Sequence, residues 1–322
     1  MAPLPDDLRV ALEDTLRGFD RRELAAAVER LIGRYREGRA ADSAILRSAV
    51  DAAAYAGYRM PATYAAVRAV FGEVARVAPG FAPRSLLDVG GGTGAALWAA
   101  RDTWGSVAEF GVLEQAPEVV ALGRRLVEHA DSVRKAVWRQ GLIDVRAPAP
   151  EADLVTLSYV LGELPEAVRA DVVEWLAGKA DVVALIEPGT PGGYERIVAA
   201  RDRLLGLGWS LVAPCPHERE CPVPRGKDWC HFSARLPRVG AHRTIKGGTL
   251  NFEDEKFSYV VASRTPSGRA ANRVLRHPVK RKGLVALRLC TGDDGLADVN
   301  VTKRLGERYH AARDVEWGDP WE

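Results

Sequence analysis

Three of the chain's four cysteines fall within sixteen residues, and the fourth, Cys290, lies 60 residues beyond Cys230. The stretch is APCPHERECPVPRGKDWCHFSARLPR, with the spacing Cys215-x5-Cys221-x8-Cys230. Thiols spaced this way can pair as disulfides, hold zinc, hold an iron–sulfur cluster or stay free. Paired C-x2–4-C knuckles of the zinc-ribbon type are absent, and so is the thioredoxin-type C-x-x-C. Four thiolates match the ligand count of a [4Fe–4S] cluster, while His217 and His231 are at hand for a mixed zinc site. Proline follows both Cys215 and Cys221, which suits loops better than regular ladders. Cysteines set among Pro, Gly and charges do not resemble core filling. The spacing points to a metal site and leaves iron–sulfur and zinc both open.

A second constellation is Asp88-Val89-Gly90-Gly91-Gly92-Thr93-Gly94, which follows the apolar run RSLLDV and opens the helical pattern GAALWAARDTW. Glycines let a backbone approach its ligand, and a helix N-terminus offers free N–H groups. Asp88 at the strand end suits the amino group of a methionine moiety rather than a phosphate. Glu114 ends the next strand, 26 residues later, where an acid can accept both ribose hydroxyls. No P-loop G-K-[ST] is present, which argues against ATP hydrolysis. A dinucleotide dehydrogenase would carry G-x-G-x-x-G, and here the third glycine falls one position early. The combination resembles the class I S-adenosylmethionine-dependent methyltransferases, an α/β, Rossmann-like fold. Fold alone does not establish activity.

In such a fold the segment Ser158-Tyr159-Val160-Leu161-Gly162-Glu163-Leu164 lies beside the reacting methyl group. It lacks an N-P-P-Y motif, and no cysteine precedes Cys215 to serve as a nucleophile in the core. Tyr159 and Glu163 are the weak catalytic candidates. Packing would equally explain Tyr159, and capping of the helix starting near Pro165 would explain Glu163. Glu187-Pro188-Gly189-Thr190-Pro191-Gly192-Gly193 is expected at the edge of the same pocket, or as a turn selected for its backbone geometry.

The elements that position these groups follow from periodicity. Residues 1–80 read as helical, with apolar spacing of three and four in LRVALEDTL, ELAAAVERLIGRY and ATYAAVRAVFGEVARV, and Pro61 at a helix start. From residue 81 strands and helices alternate, which implies a parallel sheet with helices on both faces. Two further strands, at 209–214 and 256–264, flank the cysteine stretch. This gives a methyltransferase-like domain over 81–263 with a metal-binding insertion at 214–255. After Arg264, short strands and turns form a small C-terminal β unit over 264–322.

Composition sets the outer bounds. No run of 18 apolar residues suggests a membrane span. The acid-bearing start MAPLPDDLRVALEDTLRGFD reads as neither a secretory signal nor a transit peptide, so a cytoplasmic chain is expected. The net charge of +2 is uneven, since residues 264–313 carry twelve Lys or Arg against four acids. Arg269, Arg273, Arg276, Lys280, Arg281, Lys282, Lys303 and Arg304 are expected on a face for RNA phosphates, extended by His242, Arg243 and Lys246. Tyr309, Trp317 and Trp321 are available to stack on bases or to dock on their own domain.

The pieces RMPATYAAVRAV, LLDVGGGTGAALWAA, LSYVLGEL, LIEPGTPGGYERI, the cysteine stretch and VTKRLGERYHAARDVEWGD together are similar to one family. It is the mitochondrial small-ribosomal-subunit assembly family of methyltransferase-like proteins, with its bacterial relatives. The likeness runs from about residue 50 to the end. In that family four cysteines bind a [4Fe–4S] cluster, and the matching positions here are Cys215, Cys221, Cys230 and Cys290. The resemblance implies S-adenosylmethionine at Asp88, Gly90, Gly92, Gly94 and Glu114, and RNA of the small subunit as partner. It leaves two expectations open: a ribosomal-RNA methyltransferase, or a non-catalytic assembly factor. A third, a small-molecule methyltransferase with a zinc-held tail, would show no salt-dependent RNA binding.

Overall fold

The computed structural model describes residues 3–37, 48–237 and 251–322. Its centre is an eight-stranded sheet. The strands are β1 (Ser85–Val89), β2 (Glu109–Glu114), β3 (Val137–Gln140), β4 (Ala152–Ser158), β5 (Ala180–Pro188), β6 (Ser210–Ala213), β7 (Phe232–Pro237) and β8 (Phe252–Ser263). Their order is β3-β2-β1-β4-β5-β8-β6, with β7 paired to the far part of β8. The first five strands are parallel, and β8 runs antiparallel to β5, β6 and β7. This order, reversing between β1 and β4 and closed by an antiparallel strand inserted beside β5, defines the class I methyltransferase fold. It places the ligand crevice at the carboxyl ends of β1 and β4.

The crossover helices are α5 (Ala95–Thr103), α6 (Pro117–Val127), α7 (Glu166–Ala177) and α8 (Pro191–Gly206). Side-chain alternation along β1 divides them between the sheet's faces. Leu86 points to the core shared with α5 and α6, while Leu87 and Val89 point to the core shared with α7 and α8. Thr190 caps α8 by accepting a hydrogen bond from the Gly193 N–H, and Pro191 occupies its first turn.

Four N-terminal helices cover the α5–α6 face: α1 (Asp6–Arg17), α2 (Arg21–Glu37), α3 (Ala49–Tyr58) and α4 (Met60–Val77). Helix α4 begins at Met60-Pro61, as the proline predicts, and packs against α5, β7 and β8. Its buried row Tyr64, Val67, Val70, Phe71 and Val74 is the amphipathic stripe read from the sequence. Among the described residues no helix is long and apolar enough to cross a membrane.

The C-terminal residues form a second, five-stranded sheet of β9 (Asn272–Val274), β10 (Val279–Arg281), β11 (Leu284–Thr291), β12 (Gly295–Thr302) and β13 (Pro320–Trp321). Helix α9 (Glu307–Asp314), absent from the sequence reading, packs Tyr309 and Ala312 onto this sheet. Trp321 is buried in the same core, and Trp317 packs into the main one. The tail aromatics dock on their own fold rather than stand free for bases. His242, Arg243 and Lys246 lie outside the described residues.

Candidate cofactor pocket and cysteine cavity

The glycine loop joins β1 to α5 at the switch point. Gly90, Gly92 and Gly94 all adopt positive φ, at 64°, 57° and 88°. Glycine alone takes these angles at no steric cost. Space requires it as well. A Cβ on Gly90 would sit 2.6 Å from Val160 Cγ2, and one on Gly92 would sit 2.7 Å from the Tyr55 hydroxyl. The segment after β4 and helix α3 therefore both close on the loop.

Acids ring this crevice. Asp88 is buried at the end of β1 and accepts a 2.7 Å hydrogen bond from the Thr156 hydroxyl. Burial pushes its pKa up to about 7; the Thr156 hydrogen bond opposes the rise and the nearby Glu114 charge adds to it. Glu114 ends β2 and accepts from the N–H groups of Gly92 (3.0 Å) and Ala116 (2.9 Å), so it shapes the loop it borders. Each of its oxygens keeps a lone pair for a ligand hydroxyl. Glu187, ending β5, pairs with Arg196 at 2.6 Å. Glu163 is also raised to about 7, by burial first and then by Glu114 and Glu187. A small cavity of about 10 Å³ beneath the loop is lined by Tyr55, Asp88, Gly90, Gly91, Thr93 and Ser158, among others. The Thr93 and Ser158 hydroxyls there have no partner.

Tyr159 is the one non-glycine residue with positive φ among the described residues, at 63°. Such a conformation costs of order 1 kcal/mol or more and persists where surrounding contacts impose it. Its hydroxyl donates to Glu255 on β8 at 2.9 Å, and the Arg59 guanidinium lies 5.1 Å above its ring while pairing with the same Glu255. Sequence reasoning missed Glu255 and Arg59. Glu255 stands in the charged run NFEDEKF, whose pattern resembles a solvated surface, and Arg59 precedes it by 196 residues. Glu163 does not cap α7: Pro165 takes that position without a side-chain bond.

The four cysteines meet. Cys215, Cys221, Cys230 and Cys290 line one cavity of about 40 Å³, against roughly 10–15 Å³ for a single water. All four are free thiols, which answers the disulfide alternative. Cys290 comes from β11 of the small sheet, and the others from the loop between β6 and β7 and from its end. Burial raises the thiols of Cys215 and Cys230, and it pushes Cys290 up to about 12, with the neighbouring cysteines adding to each rise. Two buried guanidiniums, Arg201 and Arg273, line the same cavity. Among the described residues no three His, Cys, Asp or Glu side chains converge as a single metal ion requires. His217 Nε2 lies 3.6 Å from Cys290 Sγ, and His231 contacts the Trp229 carbonyl and stacks on the Trp229 ring.

Helix α8 connects the cysteine cavity to the acid that ends β5. On α8, Tyr194 touches Cys221 at 3.3 Å and Arg196 holds Glu187. The Trp229 indole donates to the Gly189 carbonyl at 2.9 Å, and Ser258 of β8 donates to the Cys230 carbonyl at 2.8 Å.

The expected basic face divides in two. Arg273 is only 1% exposed, so its expected display is corrected. It donates to the carbonyls of Pro214 and Gly318, both at 2.9 Å, and pairs with Glu73 of α4. Arg276 binds Asp228 and the Trp229 carbonyl, and Arg269 pairs with Glu218. These three arginines hold the small sheet to the cysteine loop and the core. Lys280, Arg281, Lys282, Lys303 and Arg304 are exposed. They gather at one end of the small sheet, where Arg281 pairs with Leu284, Leu284 with Thr302, and the Lys303 N–H reaches the Gly283 carbonyl.

With this geometry in place, residues 49–322 match the family described as mitochondrial small ribosomal subunit Rsm22. The chain belongs to that family. It is 30% identical over 285 residues to the human (Homo sapiens) ribosome assembly protein METTL17, mitochondrial, covering 82% of this chain and 61% of that protein. It is 22% identical over 278 residues to the Saccharomyces cerevisiae ribosome assembly protein RSM22, mitochondrial, covering 53% and 44%. The chain thus spans less than two thirds of either relative. Among solved structures, magnesium protoporphyrin IX methyltransferase from Synechocystis with bound S-adenosylhomocysteine overlaps with a TM-score of 0.43 at 13% identity, over 73% of this chain and 94% of that one. The fold assignment rests on the strand order rather than on that overlap. The Rsm22 match corrects the cytoplasmic expectation: family and relatives are mitochondrial, and they point to the mitochondrion instead.

Proposed function

We propose that this Rsm22-family chain is an S-adenosylmethionine-binding protein that acts on small-subunit ribosomal RNA during assembly, with a [4Fe–4S] cluster held by its four cysteines. The observation that carries the cofactor reading is the crevice at the β1–β4 switch point, where a glycine loop is flanked by Asp88 and Glu114. Asp88 would meet the cofactor's amino group and Glu114 its ribose hydroxyls, while Gly90, Gly92 and Gly94 keep the loop clear of side chains.

The cysteine cavity fits a thiolate-held centre. Buried thiols that resist ionisation one by one are ionised together once a metal sits among them, and the guanidiniums of Arg201 and Arg273 offset the resulting negative charge. Four thiols lining one cavity match the ligand count of such a cluster. When bound, the cluster supplies a crosslink: it joins β11 of the small sheet to the β6–β7 loop. The residues around it orient the basic end formed by Lys280, Arg281, Lys282, Lys303 and Arg304 toward RNA phosphates.

Support for the small subunit comes from the family and from relatives named as ribosome assembly proteins. Cells lacking the protein should accumulate incomplete small subunits. Wild type should restore them, and a variant with the five exposed basic residues changed to Glu should not. Normal small subunits without the protein would contradict the proposal. A second reading, methyl transfer to that RNA, is favoured by the positive-φ backbone of Tyr159 after β4, whose side chain is held by Glu255 and Arg59. A methyl group lost from small-subunit RNA without the protein, and restored by wild type but not by Asp88→Asn, would decide for it.

A further inference from the structure

The five exposed cations at the end of the small sheet make no ion pair among the described residues, whereas Arg269, Arg273, Arg276 and Arg288 each hold an acid. They stand in two rows. Lys280 and Arg281 lie on β10 with Lys282 in the turn after it, and Lys303 and Arg304 follow β12. Leu284 of β11 pairs with Arg281 on one side and with Thr302 on the other, so the rows are two strand spacings, or about 10 Å, apart. No residue of β10 is buried, and its hairpin with β11 stands clear of the core. The sheet's acids lie elsewhere. Asp298 pairs with Arg288, while Asp293 and Asp294 sit in the opposite turn, which Arg219 holds through the Gly292 and Asp293 carbonyls. Glu307, at the start of α9, is the acid closest in sequence to the second row. Six steps along β11 put the basic end about 20 Å from Cys290.

A second observation concerns the aromatic side chains. Residues 264–322 contain three Phe, Tyr or Trp residues. Tyr309 and Trp321 are buried in the core of the small sheet, and Trp317 packs into the main one. The exposed apolar groups beside the cations are Val279 and Leu305, both aliphatic. Single-stranded RNA is held by bases stacked on aromatic rings as well as by its phosphates, whereas helical RNA is held by its backbone and shape.

We propose that the basic end of the small sheet is a clamp for the backbone of helical RNA, with one row of cations on the phosphates of each strand. The inference rests on the RNA reading above and narrows it from RNA in general to duplex segments. A duplex fills both rows, and a single strand fills one.

The test is fluorescence anisotropy of the full-length protein with an RNA duplex of about 20 base pairs and with an unstructured single strand of equal length. Salt is varied from about 50 to 200 mM. Wild type should prefer the duplex about tenfold or more at the lower salt. Five duplex contacts give a log–log slope of about −4.5, so duplex affinity should fall about 500-fold over that range, and single-strand affinity about 20-fold. Changing Lys280, Arg281 and Lys282 to Ala should reduce the duplex loss to about 12-fold, and changing Lys303 and Arg304 to Ala should reduce it to about 40-fold, with the melting temperature unchanged. Equal affinity and equal salt dependence on the two RNAs overturns the inference and leaves the RNA reading standing. A duplex preference that survives removal of both rows from a folded protein overturns it as well. Absence of binding to either RNA overturns the RNA reading and this inference together.

Discussion

Replacing Arg273 by Met should destabilise the protein severely while leaving the RNA affinity of the folded molecule unchanged. The guanidinium is 1% exposed and joins three parts of the chain: Glu73 of α4, the Pro214 carbonyl before the first cysteine, and the Gly318 carbonyl of the tail. Methionine fills most of the volume but supplies no donor. It removes one of the two guanidinium partners of Glu73, which keeps Arg76 at 2.6 Å, and leaves two carbonyls without their N–H partners at about 1 kcal/mol each. The lost charge-assisted bond to Glu73 adds about 2 kcal/mol, so about 4 kcal/mol is the expected loss. At about 2 °C per kcal/mol for a chain of this size, the melting temperature should fall by about 8 °C. Circular dichroism melting gives the stability, and fluorescence anisotropy below the melting range gives RNA affinity. An unchanged melting temperature with weakened RNA binding would refute the reasoning and return Arg273 to the surface.

Changing Lys280, Arg281 and Lys282 to Ala should do the reverse: the melting temperature holds, RNA affinity falls uniformly across sequences, and the salt dependence flattens. A change confined to one RNA sequence would argue against simple phosphate contacts. Anaerobically purified wild type should be brown with about four irons per chain, and Cys290→Ala should lose the iron and loosen the small sheet, read by hydrogen exchange. A colourless protein with one zinc would contradict the cluster. Glu163 is raised from 4.5 to about 7 in the fold, so the folded state binds the extra proton between those values. Its contribution is fully present below about pH 4.5 and is lost as pH rises through about 7, by roughly 3 kcal/mol. Ligand-free Glu163→Gln should therefore exceed wild type in denaturant midpoint at about pH 8 and match it near pH 4.5. An equal gap at both values would remove the buried-carboxyl account.

What the sequence made legible was local. Alternating apolar runs ending in Asp88 and Glu114 gave the parallel strands and the crevice, because a buried strand and its glycine turn are written in adjacent residues. Strand β7 was hidden inside the cysteine stretch, although Phe232, Ala234 and Leu236 keep the inward alternation of a half-buried strand. The interior arginines were not legible. Arg273 pairs with a glutamate 200 residues earlier, and a run of basic residues looks alike whether its charges face water or distant acids. The same distance hid Glu255, whose partners Arg59 and Tyr159 are brought to it only by the sheet. The cysteine spacing indicated a metal site, and the fold adds the shared cavity and the arginines that face it.

The central claim, that the cysteine-tied small sheet presents its basic end to small-subunit RNA, is tested most directly by ultraviolet crosslinking of the protein to assembling small subunits, followed by peptide mapping. The account predicts that RNA adducts concentrate on the peptides spanning 279–284 and 302–305, with none at Arg273. Adducts absent from those peptides and gathered instead on the face formed by α6 and β3 would contradict it.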